Sequence, residues 1–415
     1  VVAREIFSDR GHPGIEAIVR TEDGASGKAM ATAGVSVGEH EVKFAYDGGN
    51  RWGGLGVSRA VENVNKIIAP VLKGMDVTDQ RSIDHAMIDL DGTSDKSRLG
   101  GNATASVSAA VLKAAANSLG VPLYKHIGGV NACILPVPDA GAYYGDQRYG
   151  GGIGHTGGKP SLEFVCHGFK GFSEASYAGW EVGKEFQRIL LERFGMKPNL
   201  AGWMMNVINS GPMEHDGELW GAMADAIQNV GHKNKIGIQM DVAAGTYYDD
   251  SKGVFKGLFS KKEKSKEDLI ELYKDAVKSY PFMILEDPLD EEDYEGHAIL
   301  TRELGIEIVG DDLFTTNPRR LQQGIDVGAA NAMLLKVNQV GTITEAFDAV
   351  QLAYMNGYGV MPCSSRGEGD ELADYVVGLG TGHMRGGALS NRLLEIEAEL
   401  GNNGKFLGKA ALKLK

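Results

Sequence analysis

Ile236-Gly-Ile-Gln-Met-Asp241 and Phe282-Met-Ile-Leu-Glu286 are short apolar runs, and each of them ends on an acidic residue. Three more runs in the C-terminal half share this design: Ile306-Glu-Ile-Val-Gly-Asp311, Met333-Leu-Leu-Lys336 and Tyr358-Gly-Val-Met-Pro-Cys-Ser364. Their terminal polar residues follow one another at intervals of 45, 25, 25 and 28 residues. A strand, a turn and a helix of ordinary length fill about 25 to 45 residues, so the spacing predicts repeated βα units.

The segments between these runs carry helix signals. Ser265-Lys-Glu-Asp268 and Thr342-Ile-Thr-Glu345 are N-cap patterns, and Asn317-Pro318 places a cap residue before a proline at the first helical position. The pattern predicts an α/β fold with a C-terminal (β/α)₈ barrel of the TIM type. A doubly wound open sheet has the same alternation and stays open as an alternative; both folds place function at the C-terminal ends of the strands.

The N-terminal third lacks the regular alternation of strands and helices that the C-terminal half shows. Residues 1–45 alternate in the manner of strands, and residues 56–127 hold helical patterns. We therefore expect an N-terminal α+β capping domain over residues 1–130 and a barrel domain over residues 131–415.

The composition of the chain argues against several classes of function. The chain has 55 acidic and 42 basic residues and a formal charge of −13, which argues against nucleic-acid binding. Three widely spaced cysteines argue against a disulfide framework or a zinc site. No apolar stretch approaches ~18 residues and the start lacks a signal-peptide pattern, so we expect a cytoplasmic protein without a membrane partner.

The strand ends indicate the chemistry. In a barrel they open into one shared mouth, where the enzymes of this fold work. Asp241, Glu286 and Asp311 would bring three carboxylates there, and Lys336 would bring an amine. Hard oxygen donors suit Mg²⁺, so the pattern predicts a magnesium site with a base beside it.

The chain also resembles a known family, the enolase superfamily, and within it a divergent member of the enolase (phosphopyruvate hydratase) branch. The resemblance covers nearly the whole chain. Its most specific block includes Met240-Asp-Val-Ala-Ala244, Leu285-Glu-Asp-Pro288, Gly310-Asp-Asp-Leu313 and Leu334-Leu-Lys-Val-Asn-Gln339. The resemblance implies a magnesium-dependent carbon–oxygen lyase of glycolysis that dehydrates 2-phosphoglycerate to phosphoenolpyruvate. It also implies a small phosphorylated or carboxylate substrate and a homo-oligomer, a dimer or larger.

The resemblance assigns roles to individual residues. Asp241, Glu286 and Asp311 resemble the family's magnesium ligands, and Lys336 resembles its general base. The further positions that match are His155 and Glu163 as catalytic residues, and Ser36, Ser364, Ser365, Arg366 and Arg385 as substrate-binding residues. His155 and Glu163 are one residue closer together than is usual in the family.

The chain departs from the family pattern at the leaving-group acid and the phosphate site. Ser210 stands where enolases have a glutamate that helps to protonate the departing hydroxyl, and Glu214, His215 and Glu218 are nearby candidates to replace it. Ser364 replaces a histidine, Arg366 is offset by one residue, and Arg385 replaces a lysine. Two alternatives therefore stay open: a related lyase or transferase on another carboxylate or phosphonate, and a non-catalytic paralogue with a binding role.

Overall fold

The N-terminal part of the chain combines a small sheet with helices. The structure is a computed structural model that describes residues 1–8, 11–32, 34, 37–145, 149, 159–197, 206–208, 211–363 and 369–415. The elements of the first third are β1 (Val2–Phe7), β2 (Pro13–Arg20), β3 (Ser26–Thr32), α1 (Ser58–Asn63), α2 (Ala69–Leu72), α3 (Gln80–Asp91), α4 (Gly101–Ser118) and α5 (Leu123–Gly128). A π-helical turn, Val64–Ile68, joins α1 to α2.

Strands and helices alternate through most of the remaining chain. The strands are β4 (Ile134–Leu135), β5 (Val137–Gly145), β6 (Ser161–Cys166), β7 (Asn206–Ile208), β8 (Ile236–Asp241), β9 (Tyr248–Asp249), β10 (Val254–Phe255), β11 (Phe282–Glu286), β12 (Glu307–Gly310), β13 (Ala332–Leu335), β14 (Gly359–Pro362), β15 (His383–Gly387) and β16 (Lys405–Phe406). The helices are α6 (Phe172–Phe194), α7 (Gly217–Asn229), α8 (Lys266–Ser279), α9 (Tyr294–Glu303), α10 (Pro318–Val327), α11 (Val337–Val340), α12 (Ile343–Met355), α13 (Glu371–Leu379) and α14 (Asn391–Leu400).

The main sheet closes into a barrel. Its strands follow the order β14-β13-β12-β11-β8-β6-β5-β15, and a parallel bridge between Cys363 and Arg385 connects the two ends of that order. β6 runs antiparallel to both of its neighbours, β5 and β8. The pairs from β8 through β14, and the pair of β15 with β5, are parallel. The barrel prediction is confirmed, and the open doubly wound sheet is excluded by the closure.

The predicted caps start three of the barrel helices. The Ser265 side chain accepts a hydrogen bond from the Asp268 backbone N–H, and the reciprocal bond completes a capping box at the start of α8. Asn317 caps α10, with Pro318 at its first position, and Thr342 caps α12. These caps fix where each helix begins, and therefore the length of the loop that follows each strand.

The N-terminal sheet packs against α4, the helix that is rich in small residues. Gly27 of β3 lies so close to α4 that a Cβ atom there would be 2.0 Å from the Ala110 carbonyl oxygen. Glu16 of β2 departs from the expected alternation because it is buried at 4% exposure, where Arg4 and Lys28 form ion pairs with it. The N-terminal α+β unit confirms the predicted fold class; the division after residue 130 stays a prediction.

No helix in the described part of the chain combines the length and the apolar character that crossing a lipid bilayer requires.

Candidate active site

Four of the predicted site residues lie at the ends of adjacent barrel strands. Asp241 and Glu286 are the last residues of β8 and β11 and face each other in the strand register. Asp311 and Lys336 come directly after β12 and β13. Because β8, β11, β12 and β13 are consecutive in the barrel, their ends bring the four side chains to one side of its mouth. Their exposures are 1%, 0%, 2% and 3%.

Lys336 and Asp311 form a buried ion pair on this side of the site. The Lys336 Nζ atom donates to Asp311 Oδ2 at 2.5 Å, and the Gln339 side chain donates to Asp311 Oδ1 at 2.8 Å. Lys336 directly precedes the short helix α11, which carries Gln339. The turn of α11 therefore places an amine and an amide on the same carboxylate.

Arg385 crosses the mouth from β15 and connects three acidic residues. Its Nη1 atom is 2.5 Å from Asp241 Oδ2 and 2.8 Å from Glu286 Oε1. Its Nε atom donates to Glu163 Oε1 at 3.3 Å, and its Nη2 atom donates to Ser161 Oγ at 2.7 Å. Ser161 and Glu163 are two residues apart on β6, so they point to the same face of that strand. Glu163 and Arg385, two of the predicted site residues, thus belong to one contact network.

Lys159 is a site residue that sequence reasoning missed. Its side chain is 8% exposed and forms an ion pair with Asp241. The hydroxyl group of Tyr247 donates to the Lys159 carbonyl oxygen and holds the backbone just before β6. Lys159 belongs to none of the motifs quoted above. The one available signal was a lysine next to Pro160 at the start of a buried strand.

Burial and crowding of charges perturb the site electrostatically. Burial raises the pKa of Glu286, although Arg385 opposes the shift. Burial and the charge of Asp311 raise the pKa of Asp312 to about 7. Burial and the charge of Arg385 lower the pKa of Lys159 to about 8. Such a buried excess of negative charge is the environment that a divalent cation stabilises.

Two sets of three carboxylates could bind a metal ion. Both contain Glu286 and Asp311, and the third member is either Asp287 or Asp241. Oxygen atoms of Glu286, Asp287 and Asp311 lie within 4.8 Å of one another. Asp287, however, accepts the backbone N–H groups of Asp311 and Asp312 at 3.0 and 2.7 Å, so its carboxylate shapes the loop after β12. Asp241 Oδ1 is buried and has no hydrogen-bond partner in the described structure. The donor set of Asp241, Glu286 and Asp311 therefore fits an oxygen-binding metal ion such as Mg²⁺.

Several predicted positions lie outside the described residues: Ser36, His155, Ser364, Ser365 and Arg366, together with Ser210. The segment that follows Ser36 does reach the site. The Glu39 N–H group donates to Glu291 Oε1 at 3.2 Å, and the Val42 N–H group donates to the Gln339 carbonyl oxygen at 2.9 Å.

Of the proposed replacements for the missing acid, His215 is directed elsewhere. Its ring packs against Trp220 and Phe259, and its Nδ1 atom accepts the Gly217 N–H group at 2.9 Å. These contacts belong to the aromatic cluster around the start of α7 and do not involve the strand-end carboxylates.

Comparison with known proteins agrees with the architecture. Residues 1–127 match the family described as "Enolase, N-terminal domain", and residues 132–415 match "Enolase, C-terminal TIM barrel domain". Similar proteins include the enolase of Methanopyrus kandleri, 43% identical over 427 residues that cover 98% of this chain and 96% of the relative. The enolase of Pyrococcus furiosus is 42% identical over 434 residues, which cover 100% of this chain and 97% of the relative. The enolase of Methanocaldococcus jannaschii is 41% identical over 426 residues, with coverage of 99% and 96%.

Both halves of the chain match enolase domains and the relatives align over almost their full length, so the predicted lyase class is confirmed and the two alternative functions are not favoured. The chain belongs to the enolase family.

Proposed function

We propose that this chain is a phosphopyruvate hydratase, which dehydrates 2-phosphoglycerate to phosphoenolpyruvate in glycolysis. One observation carries the proposal: the Lys336 amine lies 2.5 Å from the Asp311 carboxylate, beside the buried carboxylates of Glu286 and Asp241. Abstraction of a proton next to a carboxylate needs this combination of a base and a site for positive charge. The relatives named enolase support the same reaction.

Asp241, Glu286 and Asp311 are the proposed ligands of Mg²⁺. When bound, the ion supplies positive charge that stabilises the doubly negative carboxylate of the enolate intermediate. Oxygen ligands and a need for substrate oxygens in the coordination shell are both typical of Mg²⁺. The Lys336 amine and the Gln339 amide both donate hydrogen bonds to the Asp311 carboxylate.

Lys336 is the proposed base. It takes the proton from the carbon next to the substrate carboxylate, and the electron pair of that C–H bond moves into the carboxylate. The carboxylate then returns this electron pair to form the C=C bond, and the hydroxyl group on the following carbon leaves as water after it takes a proton from a general acid. Lys336 is buried at a strand end, which limits the positions that its amine can reach.

Arg385 and Glu163 are proposed to organise the anionic end of the substrate. Arg385 keeps its positive charge in this site, since burial opposes the charge but Glu286 and Glu163 together raise the pKa of the guanidinium. Glu163 accepts from Arg385 and from the Gly386 N–H group, so it fixes the direction of the guanidinium. The roles of Ser36, His155, Ser364, Ser365 and Arg366 in binding and catalysis are part of the proposal and rest on the family resemblance.

The oligomeric state, the substrate class and the cellular location of the enzyme are also proposed. We expect a homo-oligomer, a dimer or larger, that acts on a small phosphorylated substrate in the cytoplasm. The resemblance to enolases is the support for each of these expectations. Sedimentation of the purified protein at a mass above that of the 44.3 kDa chain would agree with the assembly.

A turnover assay with 2-phosphoglycerate and Mg²⁺ tests the function directly. Formation of the enol product is followed by its ultraviolet absorbance, with the metal-free protein and the Lys336→Ala variant as controls. We expect turnover in the wild type alone. An inactive wild type would contradict the proposal, and a screen of phosphonates and 2-hydroxy carboxylates would then identify another substrate.

A further inference from the structure

The amine of Lys159 is paired with the carboxylate of Asp241, which is one of the proposed ligands of the metal ion. Lys159 forms its ion pair with Asp241, and both side chains are buried. Resting on the proposed function, we propose that Lys159 is a built-in counter-ion of the metal site, which competes with the divalent cation for Asp241 and thereby sets the affinity of the site.

The charges of the site require counter-ions in the absence of a metal. Four carboxylates face the network described above (Asp241, Glu286, Asp311 and Glu163), and three cations contact them (Lys159, Lys336 and Arg385). Buried carboxylates without a compensating charge are costly, so the three cations stabilise the metal-free fold.

Lys159 is the cation that can leave Asp241 most easily. Arg385 is held by four acceptors on three strands, including Glu163 and Ser161, which the metal ion does not use. In the described part of the chain, Asp241 is the single polar partner of the Lys159 amine. A lysine side chain is also a flexible point charge, whereas the arginine fork is fixed by its geometry.

Displacement of Lys159 has two consequences. The metal ion loses affinity, because the amine already neutralises Asp241 through Oδ2 and the ion must break this buried ion pair before both oxygens of the carboxylate are available. The released amine stays anchored at the mouth, because Tyr247 holds the Lys159 backbone, and it adds one positive charge for an anionic substrate. Lys159 thus weakens the binding of the metal ion on its own and favours the binding of the metal ion when the anionic substrate is also bound.

Calorimetric titration of the metal-free protein with Mg²⁺ alone tests the inference. Lys159→Met should lower the Mg²⁺ dissociation constant about tenfold or more, because one opposite charge changes the proton affinity of a neighbouring carboxylate by a comparable factor. Lys233→Met is the matched control. Lys233 is exposed, precedes β8 at the opposite end of the barrel from Asp241, and changes the net charge equally. The control should bind Mg²⁺ as the wild type does, and Lys159→Arg should restore weak binding.

The outcomes separate the two proposals. Equal or weaker Mg²⁺ binding by Lys159→Met, in a wild type that binds Mg²⁺ and turns over 2-phosphoglycerate, would overturn the role of Lys159 and leave the proposed function intact. A tenfold gain that Lys233→Met reproduces would also overturn it, since net charge would then be the cause. Absence of Mg²⁺ binding in both wild type and variant would overturn the metal site itself. Lys159→Gln provides a second variant, and the rise in melting temperature with Mg²⁺ provides a second measurement.

Discussion

Asp311 is the residue at which the two proposed tasks of the site meet. One of its oxygens accepts a hydrogen bond from the Lys336 amine, and the other accepts a hydrogen bond from the Gln339 side-chain amide. A metal ligand that also contacts the base fixes the distance between the ion and the base. Substitution of Asp311 should therefore weaken metal binding and catalysis together, whereas substitution of Lys336 should remove the proposed base and leave all three proposed metal ligands in place.

Asp311→Asn should largely abolish Mg²⁺ binding, because a neutral amide is a much weaker ligand for a hard cation than a carboxylate. Calorimetric titration of the apo variant measures the effect. Asp326→Asn, a change of the same kind on the exposed side of α10, should leave binding unaltered. Wild-type affinity in Asp311→Asn would remove this residue from the metal site.

Lys336→Ala should abolish exchange of the substrate α-proton with deuterated solvent while Mg²⁺ binding is retained. The reason is that the amine is the proposed base, and it is not a proposed metal ligand. Proton NMR of 2-phosphoglycerate in D₂O measures the exchange. Exchange at the wild-type rate would contradict the assignment of the base, and simultaneous loss of Mg²⁺ binding would indicate a structural role for the lysine.

Ser210 leads to a prediction about the balance of the two half-reactions. Proton abstraction keeps its proposed base, Lys336, but a serine cannot donate a proton strongly at neutral pH. General acid assistance is typically worth ~10²–10⁴ in rate, so α-proton exchange should outrun dehydration in the wild type. Comparison of exchange with phosphoenolpyruvate formation measures the ratio, and Ser210→Glu should reduce it. Dehydration that keeps pace with exchange would show that another residue, with Glu163 and Glu214 the first candidates, provides the proton.

The spacing of polar residues predicted the strand-end carboxylates and the lysine, since a strand period and a loop length suffice to place them. Lys159 could not be found in this way. Its role depends on the approach of β6 to β8 in an antiparallel pair, and a pattern of consecutive βα units contains no such pair. Gln339 was visible in the quoted motif, but its contact with Asp311 follows from the turn of α11.

At the level of elements, the sequence predicted helix starts better than strand lengths. The cap residues Ser265, Asn317 and Thr342 begin helices because their side chains satisfy backbone N–H groups locally. The runs ending at Asp241 and Glu286 agree with β8 and β11, but β12, β13 and β14 differ from the apolar runs at one or both ends. Strand ends depend on the partner strands, which a single run does not reveal.

The first residues of β12 and β15 form a buried pair at the end of the barrel away from the proposed active site. His383 Nε2 is 2.6 Å from Glu307 Oε1, and Glu307 Oε2 accepts the Lys413 N–H group at 2.8 Å. Burial disfavours the imidazolium, but the charge of Glu307 and the hydrogen bonds with Glu307 and the Thr381 backbone together outweigh it and raise the pKa of His383. The pair links β12, β15 and the C-terminal segment.

This pair should make the stability of the fold depend on pH. Because the folded pKa of His383 is above its unfolded value of ~6.5, its stabilisation is complete below that pH and is lost as the pH rises through the folded value. Urea unfolding between pH 6 and pH 9 should show this decline in the free energy of unfolding. His383→Gln should remove that part of the decline, while His85→Gln, on the exposed side of α3, should retain it. An unchanged pH dependence in His383→Gln would contradict the role of the pair.

For the whole molecule, a buried polar contact joins the N-terminal unit to the barrel. Asp84 of α3 is fully buried. One of its oxygens accepts the Thr344 N–H group at 2.9 Å and the Thr344 hydroxyl at 2.7 Å, and the other accepts the Ser108 hydroxyl at 2.6 Å. Thr344 lies in the first turn of α12, where a negative charge also complements the helix dipole. Asp84 therefore joins α3, α4 and the barrel through one carboxylate.

Asp84→Ala should destabilise the whole chain by at least ~2 kcal/mol, because it leaves several buried donors without an acceptor and each such group costs about 1–3 kcal/mol. The sequence did not predict this contact, since α3 and α12 are about 260 residues apart and only the folded arrangement brings them together. Urea unfolding followed by circular dichroism measures the loss. Asp89→Ala, an exposed position on the same helix, controls for the helix itself and should cost far less. Equal losses in the two variants would show that Asp84 acts only within α3; a loss confined to Asp84→Ala would show that its carboxylate holds the N-terminal unit on the barrel beside the mouth.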